Sequence, residues 1–184
     1  MHKGFVYLTA IIDWYSRYVL SWRLSNSMDG SFCREALLEA LERYGTPEIF
    51  NTDQGAQFTS PLFTSILSKR NIRISLDGRG RALDNVFIER LWRSAKYECL
   101  YLHSFDTVAK VRAALAAYFD LHNHRKSHQA LNYKTSSTVF KAYMAFCYRK
   151  PRQNLVLTGF RCIENVFNRA FRPSYFPAGR NLLQ

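Results

Sequence analysis

Two acidic side chains, far apart in the chain, have the types and settings to do chemistry together. Asp53 stands in "NTDQGAQFTS" (residues 51–60), directly after a short apolar run and two residues before a glycine. Asp and Gly both suit tight turns, so Asp53 reads either as a turn former or as a metal ligand at the C-terminal end of a buried strand. Glu89 stands in "NVFIERLWRSAKYECL" (residues 85–100). At helical spacing Ile88, Leu91, Trp92, Ala95 and Cys99 form one apolar stripe. Asn85, Glu89, Arg93 and Lys96 cluster about a quarter turn away, at its rim. A Glu–Arg pair one turn apart is the plain alternative for Glu89. Taken together, with 35 residues between them, the two carboxylates suit hard divalent cations, which prefer oxygen ligands. Two such cations stabilise the attacking and leaving oxygens of an in-line phosphoryl displacement. Arg93 and Lys96 would then lie where a DNA phosphate runs.

The histidines of "LHNHRKSHQAL" (His122, His124 and His128) invite a second metal reading. His124 and His128 have the spacing, but Arg125 and Lys126 between them would repel a cation, which favours a structural or DNA-backbone role.

Positioning the two acids requires a strand that ends at Asp53 and a helix that carries Glu89. The β-branched and aromatic run "GFVYLTAII", the polar break "DWYSR" and the run "YVLSWRL" predict a β-hairpin. In its second arm Tyr18, Leu20, Trp22 and Leu24 alternate with Val19, Ser21 and Arg23. Residues 29–44 are helical in pattern, with Cys33, Leu37, Ala40, Leu41 and Tyr44 on one stripe. "GTPEIF" closes that helix and opens a short strand ending at residues 51–53. A helix over 61–69 and a strand in "NIRISL" follow, then the basic loop "DGRGRALDN" with two glycines. The Glu89 helix is succeeded by another in "DTVAKVRAALAAYFDLH", with Val108, Val111, Leu115, Tyr118 and Phe119 inward. The succession is that of an α/β domain. After Phe140 the pattern becomes irregular, "RKPRQN" reads as a linker, and "NLVLTGF" is a candidate short strand.

With 47% apolar and 15% aromatic residues among 184, the chain can fill the core of one domain with an appendage. It has no apolar run long enough to span a bilayer and no signal-peptide pattern, so a cytoplasmic protein is expected. Four widely spaced cysteines without a Cys-x-x-Cys suggest reduced thiols rather than a zinc site or disulfide framework. The net charge of +12 is unevenly placed. Residues 1–120 hold 15 basic and 13 acidic side chains, whereas residues 121–184 hold 11 basic ones and a single acid, Glu164. The last third is therefore suited to a polyanion, although a solvated basic tail has the same composition.

"NTDQGAQFTS", "DGRGRALDNVFIERLWRSAKYE", "NHRKSHQALNYKTSSTVF" and the hairpin "GFVYLTAIIDWYSRYVLSWRL" together resemble the consecutive motifs of bacterial insertion-sequence transposases of the IS-three type. The catalytic domain of that family is similar to retroviral integrases. The resemblance covers residues 4–143 and implies a ribonuclease-H-like α/β fold: a mixed sheet flanked by helices. It implies a catalytic set of two aspartates and a glutamate holding Mg²⁺ or Mn²⁺. Asp53 matches the second aspartate, Glu89 matches the glutamate, and Lys96 matches a basic position that contacts DNA ends. Arg93 joins Lys96 as a phosphate contact, with Arg81 and Asn85 as further DNA-binding candidates. The implied partners are DNA, as element ends and target, and other subunits, either copies of this chain or full-length transposase.

The first aspartate of that set has no match. Asp13 matches the family's D-x-x-S-R turn, where it is expected to hydrogen-bond backbone amides rather than bind metal. Arg17 is expected to be a turn or surface residue. The resemblance thus implies a core over residues 1–143 lacking its first, central strand, followed by a basic, irregular extension over 144–184. A truncated transposase, inactive alone and poorly stable, is the expectation. The alternative is a non-catalytic DNA-binding remnant that inhibits the full-length enzyme. A ribonuclease-H-type nuclease fits the metals less specifically, because "DNVFIERLW" and "HRKSHQAL" resemble transposases.

Overall fold

The β-branched run and the alternation after it form an antiparallel pair, β1 (Val6–Asp13) and β2 (Val19–Ser25). The computed structural model describes residues 5–76 and 86–147 and the backbone of Leu155–Ile163. Helix α1 (Ser31–Tyr44) follows, starting after Gly30, whose φ of 79° is one that glycine adopts freely. Then come β3 (Ile49–Thr52), the single turn α2 (Ala56–Thr59), α3 (Pro61–Ser68) with proline in its first turn, and β4 (Arg73–Leu76). Helix α4 (Val86–Ala95) continues into a π-helical turn, Lys96–Leu100, closed by the Tyr101 N–H on the Lys96 carbonyl at 2.8 Å. Helix α5 (Val108–His124) is capped by the Thr107 hydroxyl, which accepts from the Lys110 N–H. The "SHQALNYKT" segment makes a small ladder of β5 (Ser127–His128) and β6 (Lys134–Thr135) around a 3-10 turn. Helix α6 (Ser136–Cys147) and strand β7 (Leu155–Ile163) complete the described residues.

The sheet has the order β2-β1-β7-β3-β4. Its faces carry separate cores. Val6, Leu8, Ala10 and Ile12 of β1 pack with Ile88, Leu91 and Trp92 of α4 and with Val111, Leu115 and Phe119 of α5. Ile11 of β1 and Phe50 of β3 pack with Phe32, Ala36 and Leu37 of α1 and with Phe63 and Leu67 of α3. The strand period of two thus sends alternate β1 residues into two layers, and β1 is buried on both faces. The expected inward stripes of α1, α4 and α5 all contribute to these cores.

Three expectations are corrected in detail. The alternation of the second arm does not keep Tyr18, Leu20, Trp22 and Leu24 on one face. The register steps from Ile11↔Ser21 to Ile12↔Val19, so Leu20 is an extra residue, a β-bulge that shifts the phase. Tyr18 and Leu20 join the α1 core, and Trp22 and Leu24 join the α5 core. The pattern beyond Phe140 is not irregular at once, because α6 runs on to Cys147.

The third correction concerns the tail. It is not irregular throughout: β7 pairs antiparallel with β1 from Val6↔Ile163 to Asp13↔Val156, and parallel with β3 from Ile49↔Leu155 to Asn51↔Leu157. The sheet keeps the expected ribonuclease-H-like arrangement, and its central position is taken by a strand from the C-terminal extension. The N–H and C=O groups that β1 and β3 direct toward that position find partners there.

Candidate metal centre and nucleic-acid interface

Asp53 directly follows β3, the strand whose C-terminal end the sequence assigned to it. Its Oδ1 accepts the Gly55 N–H at 2.8 Å. A Cβ at position 55 would lie 2.8 Å from that same oxygen, so a side chain there would displace the Asp53 carboxylate from this position. The turn and ligand readings are therefore compatible: one carboxylate oxygen forms the turn, and the carboxylate retains acceptor capacity. Burial raises the Asp53 pKa, only partly offset by the Gly55 N–H. Among the described residues Asp53 forms no ion pair.

Glu89 occupies the first turn of α4 and Arg93 its last. The sheet covers only the Ile88–Leu91–Trp92–Ala95 stripe, and both charged residues are exposed rather than half-buried at a rim. Glu89 and Arg93 form no ion pair with each other, so the helical pair considered for them is not made. Lys96 begins the π-helical turn and is half-buried. Arg81 and Asn85 lie outside the described residues. Helix α4 packs against β7, and β7 is hydrogen-bonded to β3, so the elements bearing Glu89 and Asp53 flank one strand. Among the described residues no group of three or more His, Cys, Asp or Glu side chains is arranged to hold a metal.

The turn after β1 is built differently. Asp13 is buried at 2% exposure and its Oδ2 accepts both the Ser16 N–H, at 2.8 Å, and the Ser16 hydroxyl. The expected turn role of Asp13 is the one observed. Arg17 has φ 64°, and its guanidinium carbon lies 3.1 Å from the centroid of the Phe87 ring on α4. Burial pulls the Arg17 pKa down to about 10, against the attraction of Asp13. Arg17 is thus a turn residue that also meets the start of the Glu89 helix.

The histidines hold this turn from the other side. His122 is buried, its Nε2 lies 3.2 Å from the Arg17 carbonyl, and its ring meets that of His128 at 4.9 Å. Burial lowers the His122 pKa to about 4. Next to it, Asn123 accepts the Val19 N–H at 2.8 Å and donates to the Val19 carbonyl at 3.0 Å. The structural role expected for the His122–His128 segment is the one these contacts describe, and Asn123 had no signal in the sequence beyond its place in the motif.

A mixed five-stranded sheet between two helical layers, with an aspartate at the end of a central strand and a glutamate on a later helix, defines a ribonuclease-H-like core of the integrase type. Matches to known proteins agree. Two models described as "Integrase core domain" match, one over residues 1–82 and one over residues 70–135, so Asp53 falls in the first and Glu89 in the second. The transposase for insertion sequence element IS629 of Shigella sonnei is 30% identical over 144 residues, 78% of this chain and 49% of that protein. Transposase InsF for insertion sequence IS3A of Escherichia coli (strain K12) is 32% identical over 120 residues, 64% of this chain and 42% of that protein. The HTLV-2 integrase catalytic core domain, solved in complex with magnesium, superposes with a TM-score of 0.57 at 21% identity, covering 72% of this chain and 84% of that one. The chain belongs to the integrase core domain family, in its IS3-type transposase branch. It spans about half the length of the curated relatives it matches. No helix among the described residues is long and apolar enough to cross a membrane.

Proposed function

We propose that this chain is a catalytic-core segment acting in DNA transposition, with Asp53 and Glu89 as ligands for Mg²⁺ or Mn²⁺. The observation that carries the reading is the Asp53 carboxyl: half-buried, held in place by one amide and, among the described residues, in no ion pair, in the segment shared with the integrase core. A desolvated carboxylate of that kind suits a hard cation, whose charge offsets the cost of burial. When bound, such a cation supplies Lewis-acid stabilisation to the oxygens of an in-line phosphodiester displacement. Gly55 fixes the rotamer of Asp53 before any ligand arrives. Glu89, exposed on the first turn of α4, is accessible to share that ion, and Arg93 and Lys96 on the same helix orient DNA phosphates. Arg81 and Asn85, on the segment leading into α4, are weaker contributors to DNA binding. The basic last third adds sequence-independent affinity. Element ends and target DNA are the partners, with a second copy or full-length transposase supplying further subunits in the cytoplasm.

The same reading holds the isolated chain inactive in strand transfer, because the strand beside β3 carries no acid to bridge two cations: Leu155–Ile163 contains neither Asp nor Glu. That observation also favours the second reading, a DNA-binding subunit that inhibits the complete enzyme. Incubating the chain with element-end DNA and Mg²⁺ or Mn²⁺ tests both. The expected result is DNA binding that weakens steeply with salt, without joined products. Metal-dependent joining lost in Asp53→Asn and Glu89→Gln would make the chain a complete catalyst. No DNA binding at low salt would remove the transposition reading altogether. Inhibition of a full-length transposase by the added chain, undiminished by Glu89→Gln, would select the second reading.

A further inference from the structure

Tyr15 stands in the turn that Asp13 closes, and its neighbours there face another element. Trp14 meets the Phe87 ring of α4 with centroids 5.6 Å apart, and Arg17 lies over the same ring. Tyr15 instead meets Tyr143 of α6, with centroids 5.1 Å apart, and is 62% exposed. One chain reversal thus touches the start of the Glu89 helix and also holds up an accessible aromatic pair.

That pair borders a cavity of about 560 Å³, a size that suits a small ligand. Its other wall comes from "ALNYKTSSTVF" (residues 130–140). Asn132 and Tyr133 have φ of 53° and 58°, left-handed values that are uncommon without glycine. The Tyr133 N–H closes this reversal on the His128 carbonyl at 3.0 Å. Thr135 then caps α6 by accepting the Thr138 N–H at 3.3 Å. Val139 and Tyr143, one helical turn apart, consequently line the cavity together. Leu131 adds apolar surface, and Asn132 and Lys134 add polar groups.

Charge selects the occupant. Residues 121–147 include Arg125, Lys126, Lys134 and Lys141 and no Asp or Glu. Lys126 is engaged by Glu98, whereas Lys134 forms no ion pair among the described residues. An apolar peptide would leave that cation without a counter-charge. A nucleotide supplies a phosphate for Lys134, a base edge for the Asn132 amide and a ring face for the tyrosines. Neighbouring bases cover those faces in a duplex, so the nucleotide that fits is one outside the stack.

We propose that the cavity between the β1–β2 turn and α6 takes an unpaired nucleotide of a DNA strand, its base stacked on Tyr15 and its phosphate on Lys134. The proposal rests on the DNA-binding reading above, but not on Asp53 or Glu89 holding a metal. Because the same turn touches the start of α4, a frayed strand end held here would be kept from re-pairing beside the Glu89 helix.

Fluorescence anisotropy of a blunt duplex and of the same duplex with a short thymine overhang tests this. The overhang duplex is expected to bind about tenfold more tightly, the weight of one base stacked on an aromatic ring. Tyr15→Ala should abolish that preference and Tyr15→Phe should keep it. Lys134→Ala should reduce it and weaken its salt dependence. Tyr15 and Lys134 are both exposed, so these changes leave the core intact. Tyr97→Ala, at an exposed tyrosine outside the cavity, should leave the preference as it was. Equal affinity for the two duplexes, or a preference that survives Tyr15→Ala, overturns the proposal while the DNA-binding reading stands. A loss in Tyr97→Ala as large as in Tyr15→Ala also overturns it. Dimerisation that Tyr15→Ala abolishes, without any overhang preference, gives the cavity to a second copy and overturns it too. No binding to either duplex at low salt removes the DNA-binding reading, and the proposal with it.

Discussion

Asp13 ends β1 and Asp53 follows β3, and burial raises the pKa of both carboxyls, yet the turn after β1 is closed and the turn after β3 is open. Asp13 accepts two hydrogen bonds from Ser16 and lies near the Arg17 guanidinium, whose ring partner Phe87 comes from another element. Asp53 accepts one amide, from Gly55, and is only half-buried. The first arrangement uses a carboxylate to hold a chain reversal; the second positions one and leaves it capacity to bind. Burial and a raised pKa are common to both and do not distinguish them. Unused acceptor capacity does.

Breaking the closed turn should have the largest effect. Asp13→Ala leaves the Ser16 amide and hydroxyl without their acceptor in a buried site, and is expected to cost about 2–3 kcal/mol. Asp53→Asn keeps the Gly55 contact and removes a desolvated charge, so stability should stay within about 1 kcal/mol of the parent, with any change upward. Urea unfolding of the two variants side by side checks the contrast. Equal losses would contradict the distinction between a structural and a ligand aspartate.

Protonation should separate the regions next. The folded chain keeps His122 neutral down to about pH 4, whereas the unfolded chain takes up the proton near the ordinary imidazole value of 6.5. The unfolded state therefore binds more protons between those values, so stability is full above pH 6.5 and falls as the pH is lowered toward 4. The loss attributable to His122 is up to about 3 kcal/mol. His128 shifts in the same direction through burial and adds to it. Thermal midpoints across that interval should be flatter in His122→Asn.

A smaller effect is expected at Asn123, whose amide makes both hydrogen bonds to Val19 beside the bulge of β2. Asn123→Ala should cost about 1–2 kcal/mol, because one buried donor and one buried acceptor lose partners at an edge strand that water can still reach in part. Hydrogen exchange at Val19 should accelerate more than at Ile11, which lies in β1 away from that contact.

Much of this arrangement is legible in the sequence where periodicity and local turn chemistry decide it. The Ile88–Leu91–Trp92–Ala95 stripe, the inward side of α5 and the D-x-x-S-R turn all follow from neighbours within a few residues. Asp53 at the end of a strand follows from the run before it and the glycine after it. What is not legible depends on partners far away. One extra residue at Leu20 reverses the faces of Tyr18 and Trp22, because a strand's side chains alternate with a period that a bulge resets. The rim position read for Glu89 and Arg93 is a wheel projection, and exposure depends on how much of the helix the sheet covers. The apolar run in residues 154–160 carries strand character, but its place between β1 and β3 is a property of the edges that receive it.

Mn²⁺ titration of the folded chain, followed by nuclear magnetic resonance, tests the central claim most directly. A paramagnetic ion shared by Asp53 and Glu89 should broaden the Gly55 and Glu89 amide signals together, at the same ion concentration, and leave Ser16 and Val19 sharp. Broadening at only one of the two carboxylates, or at the His122–His128 pair instead, would contradict the account.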